Sequence, residues 1–320
     1  MKSSTFMSTP SPLQKLSHPL FEQYKLDIRL KRDDLINVII SGNKWRKLKY
    51  NLAYVKKQGF KGIVSFGGAY SNHIHALSYA CYKQAIPSIG IIRGEAEFCH
   101  NFTLSQAKQW QMELQFVDRK TYRLRNNKDY LKQLAQQYPD YFIIPEGGSN
   151  HLALTGVAEI CSELNEQTSY DTLITPVGSA GTLSGLIVGD KGQHSILGIA
   201  VLKQEGYLAD EVNQLINHPD RSYNNWHILN DYHDGGYAKF SQESLARLKA
   251  FSQITKVPFE PIYSGKMILA LLDLVEKGYF EPNHRIVLIH TGGLQGLGGL
   301  IEQGRINSSE WPLPPELQAR

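Results

Sequence analysis

The chain is short of cysteine, of long apolar runs and of net charge, and each shortage excludes a class of protein. Only Cys81, Cys99 and Cys161 occur in 320 residues. An odd, widely spaced set excludes a disulfide scaffold and fits a reducing, cytoplasmic setting. No apolar stretch reaches the ~18 residues of a membrane span, so no membrane partner is expected. Residues 1–20 are Ser/Pro-rich and lack an apolar h-region, so no signal peptide is expected. The 34 basic and 30 acidic residues leave a net charge of +4. The densest basic stretch, 118–128, comes without a recognition motif and reads as a solvated helix start and loop. A nucleic-acid partner is therefore not expected. The G-x-G-x-x-G, Walker A, H-E-x-x-H, C-x-x-C and G-x-S-x-G patterns are all missing. His73 and His75 stand two apart and would face different ways on a helix, so no metal site is expected.

What is present suits a large globular α/β protein. Hydrophobic residues make up 42% of the chain, enough for a sizeable core, and the length suggests about two domains or one large one. Apolar runs at 27–31, 62–66, 88–92, 141–144, 172–175, 194–202 and 285–290 read as strands. Helical patterns at about 71–83, 101–110 and from Thr182 alternate with them. This order predicts α/β architecture with mainly parallel sheets, with ligands bound in the loops that follow the strands.

Four such loops can carry chemistry. Ser41-Gly42-Asn43-Lys44 places a lysine at a helix mouth, where the dipole disfavours an ammonium and favours an amine nucleophile; a surface lysine is the alternative. In Gly67-Gly68-Ala69-Tyr70-Ser71-Asn72-His73, Ser71 or Asn72 is a natural N-cap. The free N–H groups of that helix start equally suit a carboxylate. Gly178-Ser179-Ala180-Gly181-Thr182 follows a strand and opens a helix. It is either a nest of N–H groups for a phosphate, joined by the Thr182 hydroxyl, or a plain tight turn. His290-Thr291-Gly292-Gly293 presents the Thr291 hydroxyl after a fourth strand.

Taken in order, these segments resemble a known family. They are Lys-Arg-Asp-Asp-Leu at 31–35, Ser-Gly-Asn-Lys at 41–44, Arg-Lys-Leu at 46–48 and Ser-Asn-His at 71–73. Pro-Glu-Gly-Gly-Ser-Asn at 145–150, Gly-Ser-Ala-Gly-Thr at 178–182, Tyr-Ser-Gly-Lys at 263–266 and His-Thr-Gly-Gly at 290–293 complete the set. The series is similar to the 1-aminocyclopropane-1-carboxylate (ACC) deaminase and D-cysteine desulfhydrase family. Its members are pyridoxal phosphate (PLP) enzymes of the tryptophan synthase β-like fold.

The resemblance implies two three-layer α/β domains with the cofactor between them. The smaller would run over 47–154, and the larger would combine 1–46 with 155–320. It implies Lys44 as the Schiff-base lysine and Gly178, Ser179, Ala180, Gly181 and Thr182 as the phosphate loop. Lys47 would contact the phosphate, Asn72 would lie beside the phenolic oxygen, and Thr291 would stand at the pyridine nitrogen. Ser71, Asn72, His73 and Tyr263 would meet the substrate, Lys44 or a base near Ser71 would remove the Cα proton, and Tyr263 and Tyr237 would be catalytic tyrosines. It further implies a homodimer.

Ser264, Thr291 and His73 resemble the desulfhydrase branch; ACC deaminases resemble one another in having Glu and Leu at the first two. A carboxylate at the pyridine nitrogen deepens the electron sink, and opening a cyclopropane needs that more than expelling a thiolate does. The expected reaction is β-elimination from a small amino acid, most of all D-cysteine, to pyruvate, sulfide and ammonia. The alternatives are ACC deaminase, a lyase such as L-cysteate sulfo-lyase, and a non-catalytic PLP-binding protein. The chain departs from the family pattern at Ser41, at His75 and over 151–154.

Overall fold

Runs of β-branched and other apolar residues build ten strands in the computed structural model, which describes residues 7–203, 206–219 and 221–318. They are β1 Leu13–Lys15, β2 Asp27–Lys31, β3 Gly62–Gly68, β4 Ser88–Arg93 and β5 Glu113–Val117. The rest are β6 Tyr141–Ile144, β7 Thr172–Val177, β8 Ser195–Ala200, β9 Trp226–Leu229 and β10 Arg285–Ile289. They form a six-stranded sheet, in the order β1-β2-β10-β7-β8-β9, and a four-stranded sheet, β5-β4-β3-β6. Every pairing is parallel except that of β1 with β2. Strands buried on both faces by crossover helices read as continuous apolar runs, as in β7 (Thr-Leu-Ile-Thr-Pro-Val, buried throughout). The mixed α/β class with mainly parallel sheets is the one the sequence led us to expect.

The seven strand runs read from sequence are all strands. β1, β5 and β9, which that reading did not include, all lie at sheet edges. β5 also carries no residue that is fully buried, so its pattern has no apolar face to detect.

The chain falls into two compact units. The first holds the described residues up to Asn37, then Ser41–Asn43 and Leu154–Gly293. Its core gathers Leu173, Leu183, Leu186, Ile196, Val212 and Val287 around the six-stranded sheet. The second holds Val38–Ile40, Lys44–Ala153 and the described residues from Leu294 onward. Val64, Phe66, Ile89, Ile91 and Tyr122 form core on one side of its four-stranded sheet. Each such side chain, fully buried, contributes roughly 1.5–3 kcal/mol. Among the described residues no helix is long and apolar enough to cross a membrane.

The basic stretch folds as expected for a solvated helix start. Asp118 caps the helix Arg119–Arg123, accepting the Lys120 and Thr121 N–H groups at 2.7 and 2.9 Å.

Candidate active site

In the first unit, three strand-following loops are bound to one another. Gly42 sits in left-handed backbone (φ 56°), and a Cβ there would also lie 1.8 Å from the Thr291 carbonyl oxygen. Ser41 is left-handed too (φ 49°). Its buried hydroxyl accepts the Gly293 N–H at 3.3 Å, which offsets part of the strain of a non-glycine residue there. The Asn43 N–H donates to the Thr291 carbonyl at 3.3 Å, and its side-chain amide donates to the Thr182 hydroxyl at 2.7 Å. The residue before Lys44 is thus tied to both the 178–182 loop and the end of β10. That glycine loop joins β7 to the helix Gly181–Asp190.

Tyr263 lies on the same loop, since a Cβ on Gly178 would come within 2.6 Å of its ring. Its hydroxyl donates to that of Tyr237 at 3.2 Å, the two rings meeting edge to face. So the first unit brings together Gly178–Thr182, Thr291, Tyr263 and Tyr237.

Ser264 is turned away from this group. Its hydroxyl, fully buried, donates to the Glu260 carboxylate at 2.9 Å. That carboxylate also accepts the Ile262, Tyr263 and Ser264 N–H groups at 2.6–3.1 Å, so it caps the start of the helix Ser264–Glu276. Burial pushes Glu260 up to about 7, against the pull of these donors. Glu260 was missed in the sequence because nothing marks it beyond its place four residues before Ser264.

In the second unit, the helix Asn43–Gln58 carries Lys44, Lys47 and Asn51 at i, i+3 and i+7, so they share one face. Lys47 is fully buried and donates to the Ser149 hydroxyl at 2.8 Å. Asn51 and Asn150 exchange side-chain amide hydrogen bonds at 2.7 and 3.2 Å, locking that face to the 148–150 turn. Ser71 is the N-cap of the helix Asn72–Lys83, accepting the Ile74 N–H at 3.3 Å. The capping reading is therefore correct, and the Ser71 O–H proton is still available to donate.

His73 is buried beside this group. Its Nε2 is 2.8 Å from the Ser65 hydroxyl, which spends its one proton on the Ile144 carbonyl at 2.8 Å. The ring must therefore donate through Nε2, leaving Nδ1 a bare acceptor. Nδ1 is buried with no hydrogen-bond partner. Burial first, then the Lys47 and Lys44 charges, hold His73 well below the usual imidazole range. A neutral ring with a bare lone pair cannot attract a carboxylate, so a carboxylate at this segment is left to the backbone N–H groups.

His75 is part of the core. Its Nε2 meets the Gln106 amide oxygen at 2.8 Å, Trp110 packs on it edge to face, and burial lowers it to about 4.

The parts present fit a phosphorylated pyridine aldehyde. Lys44 supplies an amine. The glycine loop opening a helix supplies backbone donors for a phosphate, with the Thr182 hydroxyl beside them. Lys47 is a buried cation. Among the described residues no group of three or more His, Cys, Asp or Glu could hold a metal.

Lys44, at the start of a helix and one residue beyond the Asn43–Thr182 hydrogen bond, is an amine of the kind that could hold a carbonyl cofactor. The chain belongs to the family described as "Pyridoxal-phosphate dependent enzyme", which matches residues 5–292. It is 30% identical over 303 residues to the "Putative 1-aminocyclopropane-1-carboxylate deaminase" of Thermotoga maritima, covering 90% of this chain and 95% of that one. It is 26% identical over 316 residues to the D-cysteine desulfhydrase of Klebsiella pneumoniae strain 342, covering 91% and 94%. The crystal structure of an ACC deaminase homologue superposes with a TM-score of 0.79 at 25% identity, over 93% of this chain and 94% of that one. The fold is thus the tryptophan synthase β-like PLP fold, and pyridoxal phosphate is the cofactor of the family.

Proposed function

We propose that this chain is a PLP-dependent lyase that removes sulfide from a small amino acid by β-elimination. D-cysteine is the substrate assigned, with water converting it to pyruvate, sulfide and ammonia. The observation that carries the reading is a hydroxyl, Thr291, after β10 and a serine, not a carboxylate, after Tyr263. Thr291 offers a hydroxyl, Ser264 is spent on Glu260, and Tyr263, hydrogen-bonded to Tyr237, stands against the glycine loop. No carboxylate occupies the position after Tyr263, which suits a good leaving group better than a strained ring.

When bound, the cofactor supplies an electron sink for the pair released at the substrate Cα. Lys44 would hold the cofactor's carbonyl carbon. Gly178, Ser179, Ala180, Gly181, Thr182 and Lys47 would hold its phosphate. Asn72 would flank its phenolic oxygen, and Thr291 its ring nitrogen. Ser71, with the N–H groups of Asn72 and His73, would take the substrate carboxylate. Lys44 would move the Cα proton, and Tyr263, hydrogen-bonded to Tyr237, would give a proton to the departing sulfur.

The test is pyruvate release by the purified, PLP-loaded protein from D-cysteine and from ACC, side by side. Release from D-cysteine alone is expected, with loss of turnover in Lys44→Ala. The Thermotoga maritima relative's name favours ACC as the second reading. Release from ACC would establish it and overturn the argument from Ser264 and Thr291. Turnover retained by Lys44→Ala would overturn the assignment of the lysine.

A further inference from the structure

Lys266 is 1% exposed, and its ammonium is enclosed by backbone. It has three protons and meets three carbonyl oxygens: His233 and Gly236 at 2.7 Å each, and Val201 at 3.4 Å. Val201 directly follows β8. His233 and Gly236 are the two ends of a tight turn, in which the Gly236 N–H also donates to the His233 carbonyl at 2.9 Å.

The turn is a costly one. Asp234, Gly235, Gly236 and Ala238 all have positive φ (48°, 84°, 119° and 54°). A run of left-handed residues persists only where its surroundings fix it. The residue inside this run is Tyr237. Its ring is exposed, and its hydroxyl accepts from Tyr263 at 3.2 Å. The turn lies between β9 and the helix Gln242–Thr255.

Tyr263 is held by a different charge, since Glu260 accepts its N–H and caps the helix that starts at Ser264. Lys266 lies in the first turn of that helix. The tyrosine pair is thus framed by two buried charges, Glu260 under Tyr263 and Lys266 under the turn of Tyr237.

We propose that Lys266 is a positioning residue for catalysis: its ammonium pins the 233–236 turn to the helix Ser264–Glu276 and so sets Tyr237 against Tyr263. Burial lowers Lys266 to about 8, while Asp234 and then Glu260 pull it back up, which keeps the clamp charged at neutral pH. A methionine or glutamine would fill the space, but a methionine would take away the three ammonium donors, leaving the His233 carbonyl to the Gly236 N–H and the Gly236 carbonyl to the Lys239 N–H, both within the turn itself. The proposal rests on the reading of Tyr237 and Tyr263 as active-site residues.

A double-mutant cycle on the PLP-loaded enzyme tests it, with pyruvate release from D-cysteine as one readout and amide exchange over 234–238 as the other. Lys266→Met is expected to lower kcat/KM about tenfold or more when Tyr237 is present, and less than about twofold in a Tyr237→Phe background, because residues acting as a unit are non-additive. Exchange over 234–238 should quicken while the visible absorption of the bound cofactor stays unchanged. Lys266→Gln, which keeps two N–H donors, should fall between the wild type and Lys266→Met, and it takes the place of Lys266→Met in the cycle if that variant does not fold.

Equal penalties in both backgrounds would overturn the proposal and leave the reading of the tyrosines intact. A fully active Tyr237→Phe would overturn both the role of Tyr237 and this proposal, with Lys44 unaffected. Turnover in Lys44→Ala would be the separate failure of the functional reading.

Discussion

His73 is held neutral from two sides, by burial and by the neighbouring lysine charges. Its proton is fixed on Nε2 by a chain that runs through Ser65 to the Ile144 carbonyl. Protonating Nδ1 would bury a cation beside Lys47 without a counter-charge, which is costly. The ring is therefore expected to stay neutral, with its proton on Nε2, as pH falls through the usual imidazole range around 6.5. Nitrogen-15 NMR of the imidazole reads this directly, and a His73 signal that titrates near 6.5 would reject it. At this scale the sequence was informative about which residues matter and silent about their state. Lys44, Ser71 and Thr182 stand out because they follow strands in a fixed order of short motifs. The tautomer of His73 depends on a hydroxyl in β3 and a carbonyl in β6, which no local pattern reports. Ser264 shows the same limit. Its identity was legible, but its hydroxyl belongs to Glu260, a residue no motif picked out.

The strands and helices that carry the site were legible because both faces of a parallel sheet are covered, so the strands appear as unbroken apolar runs. What joins their ends was not. The loop Ser41–Asn43 reaches Thr291 and Thr182 across large stretches of sequence, and only a residue without a Cβ fits at position 42. Gly42→Ala would set a methyl 1.8 Å from the Thr291 carbonyl oxygen while keeping φ at 56°. Backbone on both sides leaves little room to relax, so the substitution is expected to cost roughly 3 kcal/mol or more. Urea unfolding followed by circular dichroism measures this. A loss below about 0.5 kcal/mol, the level of a neutral surface change, would mean that the loop is free to move away. Because Asn43, the residue before Lys44, is anchored to Thr291 and Thr182 right after Gly42, the same variant should bind PLP more weakly. Titration of the cofactor's visible absorption provides that second measurement.

For the whole chain, the division of labour between two units has a consequence in pH. Sequence reading suggested two α/β domains, but it had no means of showing that the segment from Leu294 groups with Lys44–Ala153, since that grouping rests on long-range packing such as Phe102 against Gly298. The two units bury opposite kinds of titratable group. In the second, His75 is lowered from 6.5 to about 4. Between those values the unfolded chain binds more protons than the folded one, so stability rises with pH from 4 to 6.5 and is lost as pH falls. In the first, Glu260 is raised from 4.5 to about 7. There the folded chain binds more protons, so stability is greatest below 4.5 and falls as pH rises to 7. Each effect is about 3 kcal/mol at most, and they oppose one another between pH 4.5 and 6.5. Amide exchange resolved by segment and corrected for its intrinsic pH dependence should therefore split. Protection in β3 and β4 should increase from pH 4.5 to 6.5, while protection in β7 and β8 decreases. His75→Gln should weaken the first trend and leave the second, the remainder of the first belonging to His73, which burial also holds below the imidazole range; Glu260→Gln should flatten the second alone. Parallel trends in both sheets would show that the chain unfolds as one cooperative block, in which case only the net of the two titrations is visible.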